Sequence, residues 1–162
     1  MSPRAAWRLE SLGFTNVYDY AGGKLDWLAA GLPTEGSNTE APRAGDLARN
    51  DVPTCEVQER LGEVAARVHG AGWTTCVVVN AERVVLGLLR TRELEQEPSA
   101  LIGHVMRPGP STFRPFVSAT EMAHYMTEHD LTDAPITTSD GRLVGVLVRD
   151  DVIRADRGEV AE

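Results

Sequence analysis

The chain has 162 residues, 42 % of them hydrophobic and 25 % charged, the composition of a globular protein with room for a sizeable core. A formal net charge of −8 and a pI near 5.0 repel a phosphate backbone on average and argue against nucleic acid as a partner. No apolar run approaches the ~20 residues of a membrane span, and MSPRAAWRLE has no apolar core of the signal-peptide kind, so the expectation is a cytoplasmic protein without a membrane partner.

The first segment, residues 1–36, opens on Ser2 and Pro3, a hydroxyl cap followed by a ring that needs no N–H, which predicts a helix start. Ala6, Leu9 and Leu12 with Trp7 give that helix an apolar face, and Gly13 stops it in the manner of a C′ glycine. Phe14 to Tyr20 reads as a strand, Gly22-Gly23 as a turn, and Lys24 to Ala30 as a second short helix ended by Gly31 and Pro33. A polar, small, proline-bearing run from Gly36 to Gly45 follows. It reads as an exposed tether, with residues 37–44 as the linker proper.

The remainder is an internal repeat, residues 45–97 and 98–156. At an ungapped offset of 58 residues Gly45 falls on Gly103, Arg49 on Arg107, Thr54 on Thr112, Gly87 on Gly145 and Leu89 on Leu147. Each unit reads β-α-β-β-α. A short strand comes first (Thr54 to Val57; Thr112 to Pro115), then an amphipathic helix (Leu61, Val64, Ala65, Val68; Met122, Ala123, Tyr125, Met126). An apolar strand follows (Cys76 to Val79; Ala134 to Thr137), then a tight turn (Asn80 to Arg83; Ser139 to Arg142). A second strand (Val84 to Leu89; Leu143 to Val148) leads to a final helix near Arg92-Glu93 or Asp150-Asp151.

The run Asp140-Gly141-Arg142-Leu143-Val144-Gly145-Val146-Leu147-Val148-Arg149-Asp150-Asp151-Val152 resembles the hairpin signature of the CBS domain family. Pro135 matches that family's strand proline, and Met106-Arg107-Pro108 resembles the segment that opens many of its repeats. Val85 to Leu94 is the weaker counterpart in the first repeat. The resemblance covers about Ala44 to Arg154, about two-thirds of the chain. It implies an α/β fold of two β-α-β-β-α repeats packed as a pseudo-two-fold pair, beside a small N-terminal helix–strand–helix segment. The glycine of the hairpin sits where a Cβ would crowd a neighbouring backbone. The acidic residue at the helix start can cap N–H groups or accept hydrogen bonds from a ribose diol. In the family the purine slides between the repeats and the acid holds the ribose.

This chain departs from the pattern. The hydroxyl position holds Arg90 and Val148, and Glu93 replaces the acid that Asp151 keeps. The site around Asp151 is therefore the better ribose candidate, with Arg90 and Arg149 as replacement phosphate contacts. The expected ligand-binding set is Asp151, Arg149, Thr112, Pro135, Arg90 and Glu93. Plain capping by Asp151 and Glu93, and a solvated Arg90, are the competing readings.

Ala5 to Leu9, Gly13 to Tyr18, Gly22 to Trp27 and Gly31 to Pro33 resemble the C-terminal part of a rhodanese domain. That family's cysteine precedes the first helix, where the helix N-terminus activates the thiolate; residues 1–36 contain no cysteine, so the resemblance implies no sulfur-transfer site. Cys55 and Cys76 lie in apolar stretches and read as buried thiols, and no CxxC pair or His/Cys cluster offers a zinc site. His124 and His129 do not share a helix face, His69 and His104 stand alone, and Asp130, Asp133 and Asp140 read as solvated loop carboxylates.

The leading expectation is thus a non-catalytic regulatory module with no cofactor. Its ligand would be adenosine-containing: AMP, ADP, ATP, S-adenosylmethionine or an NAD-type molecule. A ligand-free dimerisation or docking scaffold is the alternative, and a sulfurtransferase the third and least favoured. A homodimer is expected, through apolar helix surface left facing outward (Leu61, Val64, Val68; Met122, Tyr125, Met126).

Overall fold

The computed structural model describes residues 2–18, Trp27 and residues 42–158. Helix α1 spans Ser2–Ser11, and Gly13 follows it at φ +93, the left-handed turn that a Cβ disfavours. The strand expected from Phe14 is not formed over its described part, Phe14–Tyr18. These residues pair with no strand edge among the described residues, and Phe14 and Tyr18 are exposed. A single extended segment without an edge to pair with has no ladder to satisfy its backbone. The expected Gly22-Gly23 turn, the second helix apart from Trp27, and the linker up to Ala41 lie outside the described residues.

Two repeats follow. The first holds α2 (Ala44–Leu47), β1 (Thr54–Cys55), α3 (Leu61–Gly70), β2 (Cys76–Val79), β3 (Val85–Leu89) and α4 (Thr91–Leu94). The second holds α5 (Ile102–Val105), β4 (Arg107–Pro108), α6 (Ala119–Glu128), β5 (Asp133–Thr137), β6 (Leu143–Val148) and α7 (Arg149–Asp156). Strands β2 and β6 span the expected residues, and β3 begins one residue later than expected. The short helices α2 and α5 were not expected. The strand expected at Thr112 to Pro115 is reduced to one parallel bridge, Phe113 with Ile136, because Pro115 has no N–H to extend it.

Leu61, Val64 and Val68 of α3 pack on Cys76, Val78 and Leu89 as one core, and Met122, Ala123 and Met126 of α6 pack on Ala134, Ile136 and Leu147 as another. The third apolar cluster joins the repeats: Val52, Val77, Val79 and Leu88 meet Leu143 and Val146. The helix faces named for a dimer are therefore committed inward: Leu61, Val64, Val68 and Met126 are 0 % exposed. Large exposed apolar side chains among the described residues lie instead at Trp7, Leu9, Leu12, Phe14, Tyr18, Trp27 and Leu101.

Each repeat lends its opening segment to the other. Strand β4 pairs antiparallel with β3, and Arg49 pairs antiparallel with Val146 of β6, exchanging N–H···O bonds of 2.9 Å in both directions. Ala44 and Gly45 donate to Val117 and Pro115, while Gly103 donates to Val57 and Leu61 to Ala100. The expected tether thus ends earlier than Gly45. Ala44 is fully buried, and a Cβ on Gly45 would lie 2.7 Å from the Pro115 Cβ. Small residues let this backbone dock, so low hydrophobicity here reflects close approach rather than solvation.

The hairpin glycines behave as expected. A Cβ on Gly145 would lie 2.6 Å from the Arg49 carbonyl oxygen, and one on Gly87 3.0 Å from that of Arg107. Both exchanged strands depend on these glycines. We expect Gly145→Ala to lower stability by about 1–3 kcal/mol in urea unfolding, since backbone rather than a flexible side chain must move. The turn between β2 and β3 places Arg83 at φ +63, where the second repeat has Gly141 at φ +83. Arg83→Gly should raise stability by about 0.5–1 kcal/mol, the left-handed cost to a Cβ less the added freedom of the unfolded glycine. A lowered melting temperature would contradict this.

Candidate functional site

Two cavities lie between the repeats. The larger is a cavity of about 330 Å³. Repeat one contributes Leu88 and Arg90; repeat two contributes Phe113, Tyr125, His129, Leu131 and the Asp133–Pro135 stretch of β5, with Arg107 of β4 at its rim. The smaller, about 160 Å³, is lined by Trp73 to Thr75 from repeat one and by Thr132, Asp133 and Val148 to Asp150 from repeat two.

Three rings form one wall of the larger cavity. Phe113 meets Tyr125 edge-on at 5.0 Å between centroids, and Tyr125 lies 4.2 Å from the His129 ring. The α6 register places Tyr125 and His129 one turn apart on the same face. Pro135 and Leu88 supply further apolar surface, so the cavity offers a flat aromatic side and polar groups at its rim.

Asp133 stands between the two cavities and lines both. It is 6 % exposed rather than a solvated loop carboxylate, because it begins β5 instead of preceding it. Thr75 and Thr132 donate to its Oδ2 at 3.0 and 2.9 Å, and Arg90 donates to its Oδ1 from Nη2 at 3.2 Å and from Nε at 3.3 Å. Every lone-pair direction of this buried charge thus has a donor, as burial requires. Arg90 is therefore a half-buried crosslink between the repeats and not a fully solvated charge.

The two acidic helix-start residues are each paired with an arginine of the exchanged segment. Asp151 Oδ2 accepts from Arg49 Nε at 2.7 Å, and its Oδ1 accepts from Arg154. Glu93 stands 3.7 Å from Arg107 and accepts the Arg90 backbone N–H at 3.1 Å, so it caps α4. Burial works to raise the Asp151 carboxyl, but the hydrogen bonds and charges of Arg49 and Arg154 outweigh it and hold the group below the ordinary carboxylate range.

Of the residues expected at a site, Arg90 and Pro135 line the larger cavity, with Glu93 behind Arg107 at its edge. Arg149 lines the smaller one and pairs with Asp130 at 3.0 Å. Asp151 lines neither, and half-buried Thr112 lies between Ser111 and Phe113, which do. Sequence reasoning missed Arg107, Asp133 and the aromatic wall; Arg107 was legible as the repeat mate of Arg49. Cys55 and Cys76 are buried free thiols with their sulfurs 3.4 Å apart, and the hydrogen bond to Cys55 together with burial pushes the Cys76 thiol up.

The CBS domain family matches residues 102–158. The magnesium transporter MgtE of Thermus thermophilus is 30 % identical over 86 residues, which cover 52 % of this chain and 19 % of the transporter. The chain therefore spans less than a fifth of that curated relative. The solved cytosolic domain of the Mg2+ channel MgtE in complex with ATP is similar at a TM-score of 0.64 and 24 % identity, over 71 % of this chain and 50 % of that one. CBSX2 in complex with AMP, a CBS-pair protein from Arabidopsis thaliana, gives 0.65 at 18 % identity over 72 % of this chain and 97 % of that one. The exchanged repeats thus have the fold of a CBS-domain pair, an α/β architecture.

The Asp151 cluster has a pH signature. Its folded carboxyl is depressed, so its contribution to stability is present above the unfolded value of about 3.9 and is lost as pH falls through the folded value. Asp151→Asn should lower stability by on the order of 1 kcal/mol at pH 6, with the gap from the parent protein closing below about pH 4. A gap unchanged down to pH 2.5 would show that Asp151 is not held charged by its arginines.

Proposed function

We propose that the protein is a non-catalytic regulatory module that binds an adenosine-containing ligand in the larger cleft between the repeats. The observation that carries this reading is a cavity of about 330 Å³ shared by both repeats, with an aromatic wall on one side and arginine at the rim. That size meets the lower bound of roughly 300 Å³ for small-molecule sites. A purine is flat and apolar on its faces, which suits the wall of Phe113, Tyr125 and Pro135. In this reading Arg107 at the rim contacts the phosphate, and Glu93, buried beside it, accepts from the ribose diol. The ATP of the MgtE cytosolic domain and the AMP of CBSX2 belong to those proteins and support the ligand class here.

A second reading has one observation in its favour. Both acids are paired with arginine, so ion pairs within the chain hold the repeats together. A scaffold that docks partners or forms a homodimer needs nothing more. The dimer proposal now rests on the family resemblance alone, since the helix faces first named for it are core.

Thermal melts against AMP, ADP, ATP and S-adenosylmethionine separate the two. A ligand that binds only the folded state stabilises it by about 2.7 kcal/mol at one hundred times its Kd. We expect at least one of the four to raise the melting temperature, and Arg107→Ala to weaken that ligand about tenfold, the loss of one charge-assisted hydrogen bond. No shift with any of the four would leave the scaffold reading standing.

A further inference from the structure

We propose that Cys55 and Cys76 are the site of a reversible intrachain disulfide, and that its formation draws the edge strand β1 along β2 and loosens the junction between the repeats. The two thiols are buried and free, with their sulfurs 3.4 Å apart in the core of the first repeat. They stand on neighbouring parallel strands. Thr54 is paired with Val77 and Cys55 with Val78, so Cys76 lies two residues from the partner of Cys55, on the same face of the sheet. The sulfurs touch without being bonded, since a disulfide holds them about 2.05 Å apart. In a regular ladder, residues placed diagonally in this way have Cα atoms roughly 7–8 Å apart, at or beyond the ~7 Å that a disulfide spans without backbone movement. Closing the bond therefore requires β1 to move towards the start of β2.

Strand β1 can yield to such a pull. It is two residues long and lies at the edge of its sheet. Both of its flanks reach the other repeat: Val52 sits in the apolar cluster with Leu143 and Val146, and Val57 accepts the Gly103 N–H at 2.9 Å. A displaced β1 disturbs both contacts. The two sulfurs differ in role. Cys76 donates its S–H to Cys55, and that bond together with burial pushes the Cys76 thiol up, so Cys76 keeps its proton and Cys55 is the acceptor. Arg67 of α3 donates to the Thr54 carbonyl at 3.0 Å, and its charge acts on both sulfurs, the electropositive setting that a reacting thiolate needs. With hydrogen peroxide as oxidant, the Cys55 thiolate attacks one peroxide oxygen. The O–O bond breaks, and the hydroxide that leaves takes up the proton lost by Cys55 to become water. The Cys76 sulfur then attacks the Cys55 sulfenic acid. The S–S bond forms, the S–O bond breaks, and the departing hydroxide takes the Cys76 proton as a second water. The thiol pair loses two electrons and the peroxide gains them.

Peroxide treatment of the full chain, followed by denaturation, alkylation with N-ethylmaleimide and tryptic mass spectrometry, tests the bond. The peptides carrying Cys55 and Cys76 should be recovered joined to each other, from chains that stay unlinked to one another on a non-reducing gel. Dithiothreitol should return them as separate peptides that each take maleimide. Cys76→Ala should instead gather oxygen on Cys55. Amide hydrogen exchange tests the coupling: the Gly103 and Val146 N–H groups should exchange about tenfold faster in the oxidised chain than in the reduced one. The same amides should not respond to peroxide in Cys76→Ala or, where that variant fails to fold, in Cys55→Ser. Peroxide-treated chains whose two cysteine peptides take maleimide or oxygen without joining would overturn the inference. So would a disulfide that leaves those amides unchanged.

Discussion

The close approach of two backbones at Gly145 and Gly87 is the constraint on which the rest of the structure depends. Arg49 pairs with Val146 and β4 pairs with β3 only because no Cβ stands between them. The consequence is topological. Residues that open one repeat complete the sheet of the other, so neither repeat closes its own hydrogen-bonding edge. An open edge would be a site for unwanted pairing; exchange removes it and ties the repeats into one body. The cluster of Val52, Val77, Leu88 and Val146 then buries the faces that the two sheets turn toward each other.

The same exchange builds the clefts. Arg49 and Arg107 are carried into place by the exchanged segments, and each arrives beside the acidic residue that begins the last helix of the other repeat. A charge pair formed across two repeats fixes their register as well as adding modest stability, since both arginines are substantially solvent-exposed. Asp133 does the opposite job in the middle. It is buried and hydrogen-bonded on both oxygens, and loss of Arg90, its charged partner, would leave a buried carboxylate without a countercharge. The junction of the repeats thus combines the apolar cluster around Val77 and Val146 with the buried carboxylate of Asp133, which lines both cavities.

Much of this was legible in the chain. The strands β2 and β6, the amphipathic helices α3 and α6, and the glycines of the two hairpins follow from periodicity and from a repeat without gaps. What was not legible had one physical cause: exchange between repeats is a long-range fact, invisible to local pattern. Ala44 and Gly45 read as tether because small residues look alike whether they are solvated or pressed against a backbone. Leu61, Val64 and Val68 were assigned to an outward surface because periodicity identifies an apolar face without saying what covers it. Asp133 looked like a turn carboxylate, although its repeat mate Thr75 precedes an apolar strand. Phe14 to Tyr18 had strand propensity and no edge to satisfy it.

The repeat is also informative where it breaks. The two left-handed positions recur at the same offset, Gly72 with Asp130 and Arg83 with Gly141, so the backbone path is kept while the side chain varies. The clefts follow the opposite rule. The repeat mates Leu131 and Trp73, Arg90 and Val148, Glu93 and Asp151 each differ in size or charge. Backbone constraints are shared because a strained turn or a blocked strand would disrupt the fold in either repeat. Cleft residues are free of that demand, since an empty cavity and a filled one leave the sheets equally paired. The acid that best matches the family's ribose residue, Asp151, lines neither cavity, while the poorer match, Glu93, stands beside Arg107 at the rim of the larger one. Motif quality and cavity position therefore do not coincide. A hydrogen-bond acceptor holds a ribose only where the purine beside it has room to enter.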